Sequence, residues 1–239
     1  QGSPILNTKK ALLTNDVETT SVWFNSLRDE TGMKVLKEGM PILLDIYAKY
    51  KVRSTFCFTA YIAKLYPEIV RMIVKDGHEV ASHGKSHEKG YGLDVMPLAM
   101  QKEHLDYSKR LLEDISGKEV ISFRAPALRV NNDTVRALIG TGFKYDSSVA
   151  SQRFDFFMSF GGIKKLNWLT APRLPYRVAE DNFFRRGQSP LIEIPLTALV
   201  TPYAGTTMRI MPRYTAFQRR ILHLEAKLTG KPMVFDIHP

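Results

Sequence analysis

Two histidines four residues apart, His83 and His87, close the segment Glu79-Val-Ala-Ser-His-Gly-Lys-Ser-His87, just after its short apolar run Val80-Ala81. Far upstream, the acidic pair Asp16 and Glu18 lies just beyond the apolar run Ala11-Leu-Leu. Two neutral imidazoles and one carboxylate, with a position left for water, form the ligand set of a catalytic zinc-type site rather than a structural one. A second carboxylate beside them can act as the base that deprotonates a water. Either half alone also fits ordinary polar residues of a loop or a strand end. Specificity comes from their order along the chain and from three pieces downstream: Phe123-Arg124-Ala125-Pro126, Tyr145-Asp146-Ser147-Ser148 and Val234-Phe-Asp-Ile-His238-Pro239.

The elements that must carry these residues are legible as an alternation. Short β-type runs are expected over 11–17, 54–59, 79–82, 120–123, 143–146, 191–194 and 233–237. Helical patterns lie between them over 34–50, 66–76, 97–115 and 132–139, with Gly77 and Ser116-Gly117 as stops and Asn131 or Asn132 as a cap. Repeated βα units imply a parallel sheet. Every candidate residue falls at or just past a strand's C-terminal end, which is where barrels of βα units build their chemistry. The fold class expected is therefore α/β, a distorted (β/α) barrel of about seven parallel strands. One domain is expected to span residues 1–239, with an elaborated loop layer over the site at about 150–190.

Composition sets further bounds. With 239 residues, 44% apolar and 24% charged, the chain can bury one substantial core. No apolar stretch is long enough to span a bilayer, and no signal peptide is visible. Gln1-Gly2-Ser3 has the look of a protease-site remnant. If residue 1 lies near the native start, the cytoplasm is favoured; a removed leader would leave periplasm or cell surface open. The single cysteine, Cys57, excludes an intramolecular disulfide and reads as an inert buried thiol. The formal charge is +10, and residues 164–220 hold ten Lys and Arg against three acids. Such a field suits an anionic glycan, a phosphate-bearing sugar carrier or a nucleic acid. No nucleic-acid reader motif accompanies it, so no nucleic-acid partner is expected. His78, His104 and His223 lack motif context and receive no role.

With these motifs in this order, the chain resembles the polysaccharide deacetylases of the NodB-homology type, carbohydrate esterase family four, over nearly its whole length. The resemblance implies a hydrolase that uses a divalent metal to remove N-acyl groups from amino sugars, with Zn2+ expected and Co2+, Ni2+ or Mn2+ as alternatives. It makes Asp16 the base, Glu18, His83 and His87 the metal ligands, and Arg124 the residue that orients the base. It makes His238 the general acid and Asp146 the carboxylate that steadies it. From the residues alone, either Asp16 or Glu18 could be base or ligand, since alternation along a strand puts both on one face. Three departures stand out: Asn15-Asp16-Val17-Glu18 in place of adjacent aspartates, Ala127 in place of an aromatic, and no tryptophan near Asp146. The expected substrate is a carbohydrate, anionic or phosphate-linked, with Arg173, Arg177, Arg185 and Arg186 as the gripping groups. A degenerate homologue that binds glycan without turnover is the alternative.

Overall fold

Strands that run parallel need return paths outside the sheet, and this chain uses helices for most of them. The computed structural model describes residues 11–18, 29–87, 92–153 and 167–239. Strand β1 (Ala11–Val17) leads to α1 (Asp29–Lys34), which runs through a π-type turn, Val35–Gly39, into α2 (Met40–Lys49). Next come β2 (Thr55–Phe58), α3 (Ala60–Leu65), α4 (Pro67–Lys75), β3 (Glu79–Ser82) and the long α5 (Leu98–Ser116). Strand β4 (Ser122–Phe123), α6 (Asp133–Gly140) and β5 (Tyr145–Asp146) follow. A hairpin of β6 (Tyr176–Ala179) and β7 (Asn182–Arg186) precedes β8 (Ile192–Glu193). The two-residue strands β9 (Ala198–Leu199) and β10 (Thr201–Pro202), then α7 (Gly205–Ile210), α8 (Pro212–Thr229) and β11 (Met233–Ile237), complete the order.

The main sheet runs β11-β1-β2-β3-β4-β5-β8-β6-β7. Its first seven members are mutually parallel, so the expected (β/α) barrel of about seven parallel strands is what forms. The curl meets itself across the stretch after β8 through isolated bridges rather than a full ladder. Ala150 bridges Leu196, the Thr197 N–H donates to the Val234 carbonyl at 3.3 Å, and Ala204 bridges Asp236. That sparse seam is the distortion.

Three strand boundaries, 11–17, 79–82 and 233–237, fall where alternation placed them. The region near 150–190 differs from the loop layer expected. Residues 154–166 lie outside the described residues, and beyond them β6 and β7 form an antiparallel hairpin that extends the sheet past β8. Tyr176 and Val178 are buried on either side of exposed Arg177, an alternation too short to stand out among the aromatics and arginines of this stretch. The cap of α6 is supplied by Asn131, whose Oδ1 accepts from the Thr134 N–H at 3.2 Å, while Asn132 caps nothing with its side chain.

Helix α5 packs Leu105 and Leu112, both fully buried, onto the core that also holds Phe56, Ile62, Ile69 and Phe123. Gly117, at φ 64°, ends the helix in the left-handed region that glycine enters without Cβ strain. Truncating Leu112 to alanine should cost about 2–5 kcal/mol of unfolding free energy through lost transfer energy and the cavity left behind. Urea unfolding followed by circular dichroism would measure this, and a loss below about 1 kcal/mol would contradict the packing described.

Candidate metal centre and proton-transfer groups

Strand parity and register assemble the site. Residues Thr14, Asp16 and Glu18 alternate onto one face of β1 and its end. The parallel ladder sets Thr14 opposite Asp236 and Asn15 opposite Ile237. One step further places Asp16 beside His238, and polar atoms of Asp16, Asp236 and His238 all lie within 4.8 Å of one another. Asn15 points to the opposite face, where its side-chain NH2 donates to Ser54 Oγ at 2.7 Å and its Oδ1 accepts from the Tyr47 hydroxyl at 2.8 Å. Asn15 is thereby a clamp between strand and helix. A one-residue register slip would exchange these two faces.

Glu18, His83 and His87 form one cluster, with one donor atom from each within 4.8 Å of the others. Glu18 Oε2 lies 3.8 Å from His83 Nε2 and 3.6 Å from His87 Nε2. Donors bound at 2.0–2.1 Å in a tetrahedral shell stand about 3.3 Å apart, so a small contraction would close this set on an ion. The Nδ1–H of His83 donates to the Arg124 carbonyl at 2.9 Å, which leaves Nε2 with its lone pair facing Glu18. Burial pushes His87 below the ordinary histidine range despite the Glu18 charge, favouring the neutral imidazole a ligand needs. Burial works against the Glu18 charge too, but His238, His87 and His83 outweigh it and hold its pKa down. Glu18 Oε2 is buried without a hydrogen-bond partner, an expensive condition for a carboxylate unless something else satisfies it. The donor set therefore fits a divalent cation. The two histidines are brought together by a loop, not a helix. Gly84 sits at φ 73°, a left-handed turn that folds the chain back between them.

Arg124, wholly buried, is the hub of the neighbouring groups. Its Nη1 donates to Asp16 Oδ1 at 2.9 Å and to Asp236 Oδ1 at 2.7 Å. Its Nε and Nη2 donate to the carbonyl and hydroxyl of Ser147 at 3.0 and 3.1 Å. Burial alone would raise Asp16, but Arg124, His83 and His238 bring it down to about 2, so it is ionised and able to accept a proton. Asp236 goes the other way, to about 6, because burial and the Asp16 charge outweigh Arg124. His238 Nε2 stands 3.6 Å from Glu18 Oε1. Burial would lower His238, yet the Glu18 contact and the Asp236 and Asp16 charges push it up to about 10. Its side chain is 36% exposed, so solvent screening moderates that shift. A cation on Glu18 would weaken it further.

One expected assignment needs correction. Asp146 does not steady His238: its Oδ1 accepts from Ser148 Oγ at 2.8 Å and its Oδ2 from the Ser148 N–H at 2.9 Å. Its register partner across the ladder is Glu193, and burial raises the pKa of both carboxyls, Glu193 far more. Ser148 Oγ in turn accepts from the Ala125 N–H at 2.8 Å. Asp146 thus braces the segment that carries Arg124. The carboxylate beside His238 is Asp236, which the sequence reading passed over although its two-residue offset from His238 on an alternating strand was signal enough. The arginines expected to grip an anion are largely engaged by the fold. Arg173 pairs in a fork with Glu225 and also donates to Gln152 and Ala198. Arg177 donates to the Ser189 carbonyl, and Arg185 pairs with Asp181 in its own hairpin. Cys57 is buried with its pKa pushed well up by burial, in keeping with an inert thiol. His78 Nδ1 accepts from the Ser54 N–H at 3.1 Å, a structural contact.

Comparison with known proteins places this geometry among relatives. The family model described as polysaccharide deacetylase matches residues 15–145. A peptidoglycan deacetylase of Helicobacter pylori is 31% identical over 146 residues, 58% of this chain and 49% of that protein. The chain spans about half the length of the curated relatives it matches, such as this one and a peptidoglycan deacetylase-like protein of Gibberella zeae, at 44%. Among solved structures, one from Mycobacterium smegmatis described as a polysaccharide deacetylase superposes with a TM-score of 0.65 at 22% identity, over 100% of this chain and 79% of that one. Puue allantoinase superposes with a TM-score of 0.64 at 17% identity, over 98% of this chain and 78% of that one. These two likenesses establish the fold.

Replacing Glu18 by Gln or His83 by Ala should weaken divalent-metal binding by about 10-fold or more, the range seen when metal-site partners are altered. Asp16→Asn should leave metal content near wild type. Calorimetric titration of Zn2+ into metal-stripped protein distinguishes these outcomes, and metal lost only in Asp16→Asn would exchange the two carboxylate roles.

Proposed function

The chain belongs to the polysaccharide deacetylase family, and from that premise we propose that it is a metal-dependent hydrolase removing an acetyl or formyl group from the nitrogen of an amino sugar in a glycan or a lipid- or phosphate-linked sugar. The observation that carries this reading is the adjacency of the Glu18, His83 and His87 cluster, with its unpartnered buried carboxylate oxygen, to Asp16 and His238. Glu18, His83 and His87 would hold a divalent cation, which when bound would supply electrophilic chemistry by acidifying water and drawing charge from the acyl oxygen.

The protein's own groups perform the proton transfers. Asp16, kept ionised by Arg124, takes a proton from the attacking water at its carboxylate. The oxygen so released attacks the acyl carbon, and the C–N bond breaks as His238 passes its proton to the departing sugar nitrogen. With Glu18 turned to the cation, the Asp236 and Asp16 charges are what favour the protonated form of His238 for this step. Arg124 fixes the base and, through Asp236, the strand that presents the acid. The chain's similarity to peptidoglycan deacetylases supports an N-acetylated cell-wall glycan as the substrate class.

His238→Ala should lower kcat by about 10²–10⁴-fold with metal content unchanged, the span for a lost general acid. Asp16→Asn should abolish turnover while metal remains bound. Both are read as acetate or formate release from N-acylated amino-sugar oligomers by metal-loaded protein. Wild-type protein that binds the oligomer and releases no acid would instead establish the glycan-binding alternative.

A preference for anionic sugars is the finer part of the proposal. With Arg173, Arg177 and Arg185 engaged within the fold, it rests on Arg186 and on the general basic field. The expected outcome is a higher kcat/KM on phosphate- or carboxylate-bearing substrates than on neutral ones, reduced by salt and by Arg185→Ala/Arg186→Ala. Indifference to salt and to that double substitution would remove anionic selection.

A further inference from the structure

Helix α8 has three faces, of which the barrel uses one. Thr215, Gln218, Leu222 and Ala226 are buried against the protein. A second face carries Phe217, Ile221, Leu224 and Leu228, spaced by four, three and four residues, at 56%, 39%, 56% and 76% exposure. Four large apolar side chains in one column on the outside of a helix are not an ordinary solvated surface. The preceding helix, α7, adds exposed Met208 and Ile210. Beside the apolar column runs a basic one, Arg213, Arg220 and Lys227, recurring every seven residues and exposed throughout. Arg209 and Arg219 bring the Lys and Arg of α7 and α8 to five. The single acid of the two helices, Glu225, is turned onto Arg173 and Lys231.

We propose that this face of α7 and α8 is a docking surface for an anionic lipid bilayer. An apolar stripe flanked by cations, on a helix that lies across the protein's surface, is the pattern that seats in the headgroup region. The cations meet anionic headgroups while Phe217, Ile221, Leu224 and Leu228 enter the acyl boundary. No helix among the described residues is long and apolar enough to cross a membrane, so the contact lies on the bilayer rather than through it. A second copy of the chain is the rival occupant, and charge argues against it. Antiparallel pairing through the apolar column would set Arg220 and Lys227 of one copy against the same residues of the other. This surface stands apart from the deacylase reading, because no residue in it belongs to the site around Glu18.

The test is co-sedimentation of the full chain with vesicles of pure phosphatidylcholine and of a phosphatidylcholine–phosphatidylglycerol mixture, at low and high salt. Partitioning into the anionic vesicles is expected to be at least about tenfold tighter than into neutral ones and to fall with salt. Phe217→Ser/Ile221→Ser/Leu224→Ser should reduce it by about tenfold or more. Arg220→Glu/Lys227→Glu should abolish the preference for anionic vesicles, and carries the test if the triple variant fails to fold by circular dichroism. Absence of partitioning, equal partitioning into both vesicle types, or a dimer in light scattering that the serine substitutions dissolve would each overturn the proposal.

Discussion

A guanidinium with no access to water must find acceptors for its N–H groups and a counter-charge for itself, and Arg124 finds all of them on three different strands or their ends. Asp16 comes from β1, Asp236 from β11 and Ser147 from the end of β5. Removing one partner from such a buried arrangement typically costs about 3–5 kcal/mol, because the remaining charge is left uncompensated. The arginine therefore ties the first and last strands of the curl to its opposite wall. That tie also determines which carboxylate stays ionised: Asp16 is held low, whereas Asp236 shares the same nitrogen and carries the burden of a second negative charge.

The Glu18, His83 and His87 cluster depends on the same arginine through its backbone. The Arg124 carbonyl receives the Nδ1–H of His83, so one residue orders Asp16 with its side chain and His83 with its main chain. Ser148 and Asp146 brace the next peptide from behind. Loss of Asp146 is therefore a positional defect, transmitted through Ser148 and Ala125, and not the removal of a group that meets substrate. Gly84 and its left-handed turn do the corresponding work for His87.

Outside the barrel, the chain leaves apolar side chains of α8 in a form no interior packing explains. The same basic excess that suggested an anionic substrate is partly a matter of this outer helix and partly of arginines fastened within the fold, as with Arg173 on Glu225. Net charge from sequence reports a field, and the field can belong to a surface far from the chemistry.

What the sequence determined by itself was periodicity and order. The alternation over 11–17, 79–82 and 233–237 specified strands, and with them the common face of Asp16 and Glu18 and the strand-end location of His83 and His238. The motif order brought His83, His87, Glu18 and Arg124 into one reading through its resemblance to the polysaccharide deacetylases. What it could not determine was any pairing between residues on strands distant in the chain. The shared face of Asp236 and His238 is readable along one strand, but only the ladder shows that Asp146, also an acid at a strand end, is set against Glu193. The register of β1 on β11 puts Thr14 against Asp236, and that of β5 on β8 puts Asp146 against Glu193. The hairpin of β6 and β7 escaped for a related reason: its inward apolar residues, Tyr176, Val178 and Phe183, are too few to specify strands without the cross-strand pairing. Local chemistry is written along the chain, whereas the choice among equivalent partners is made when the sheet closes.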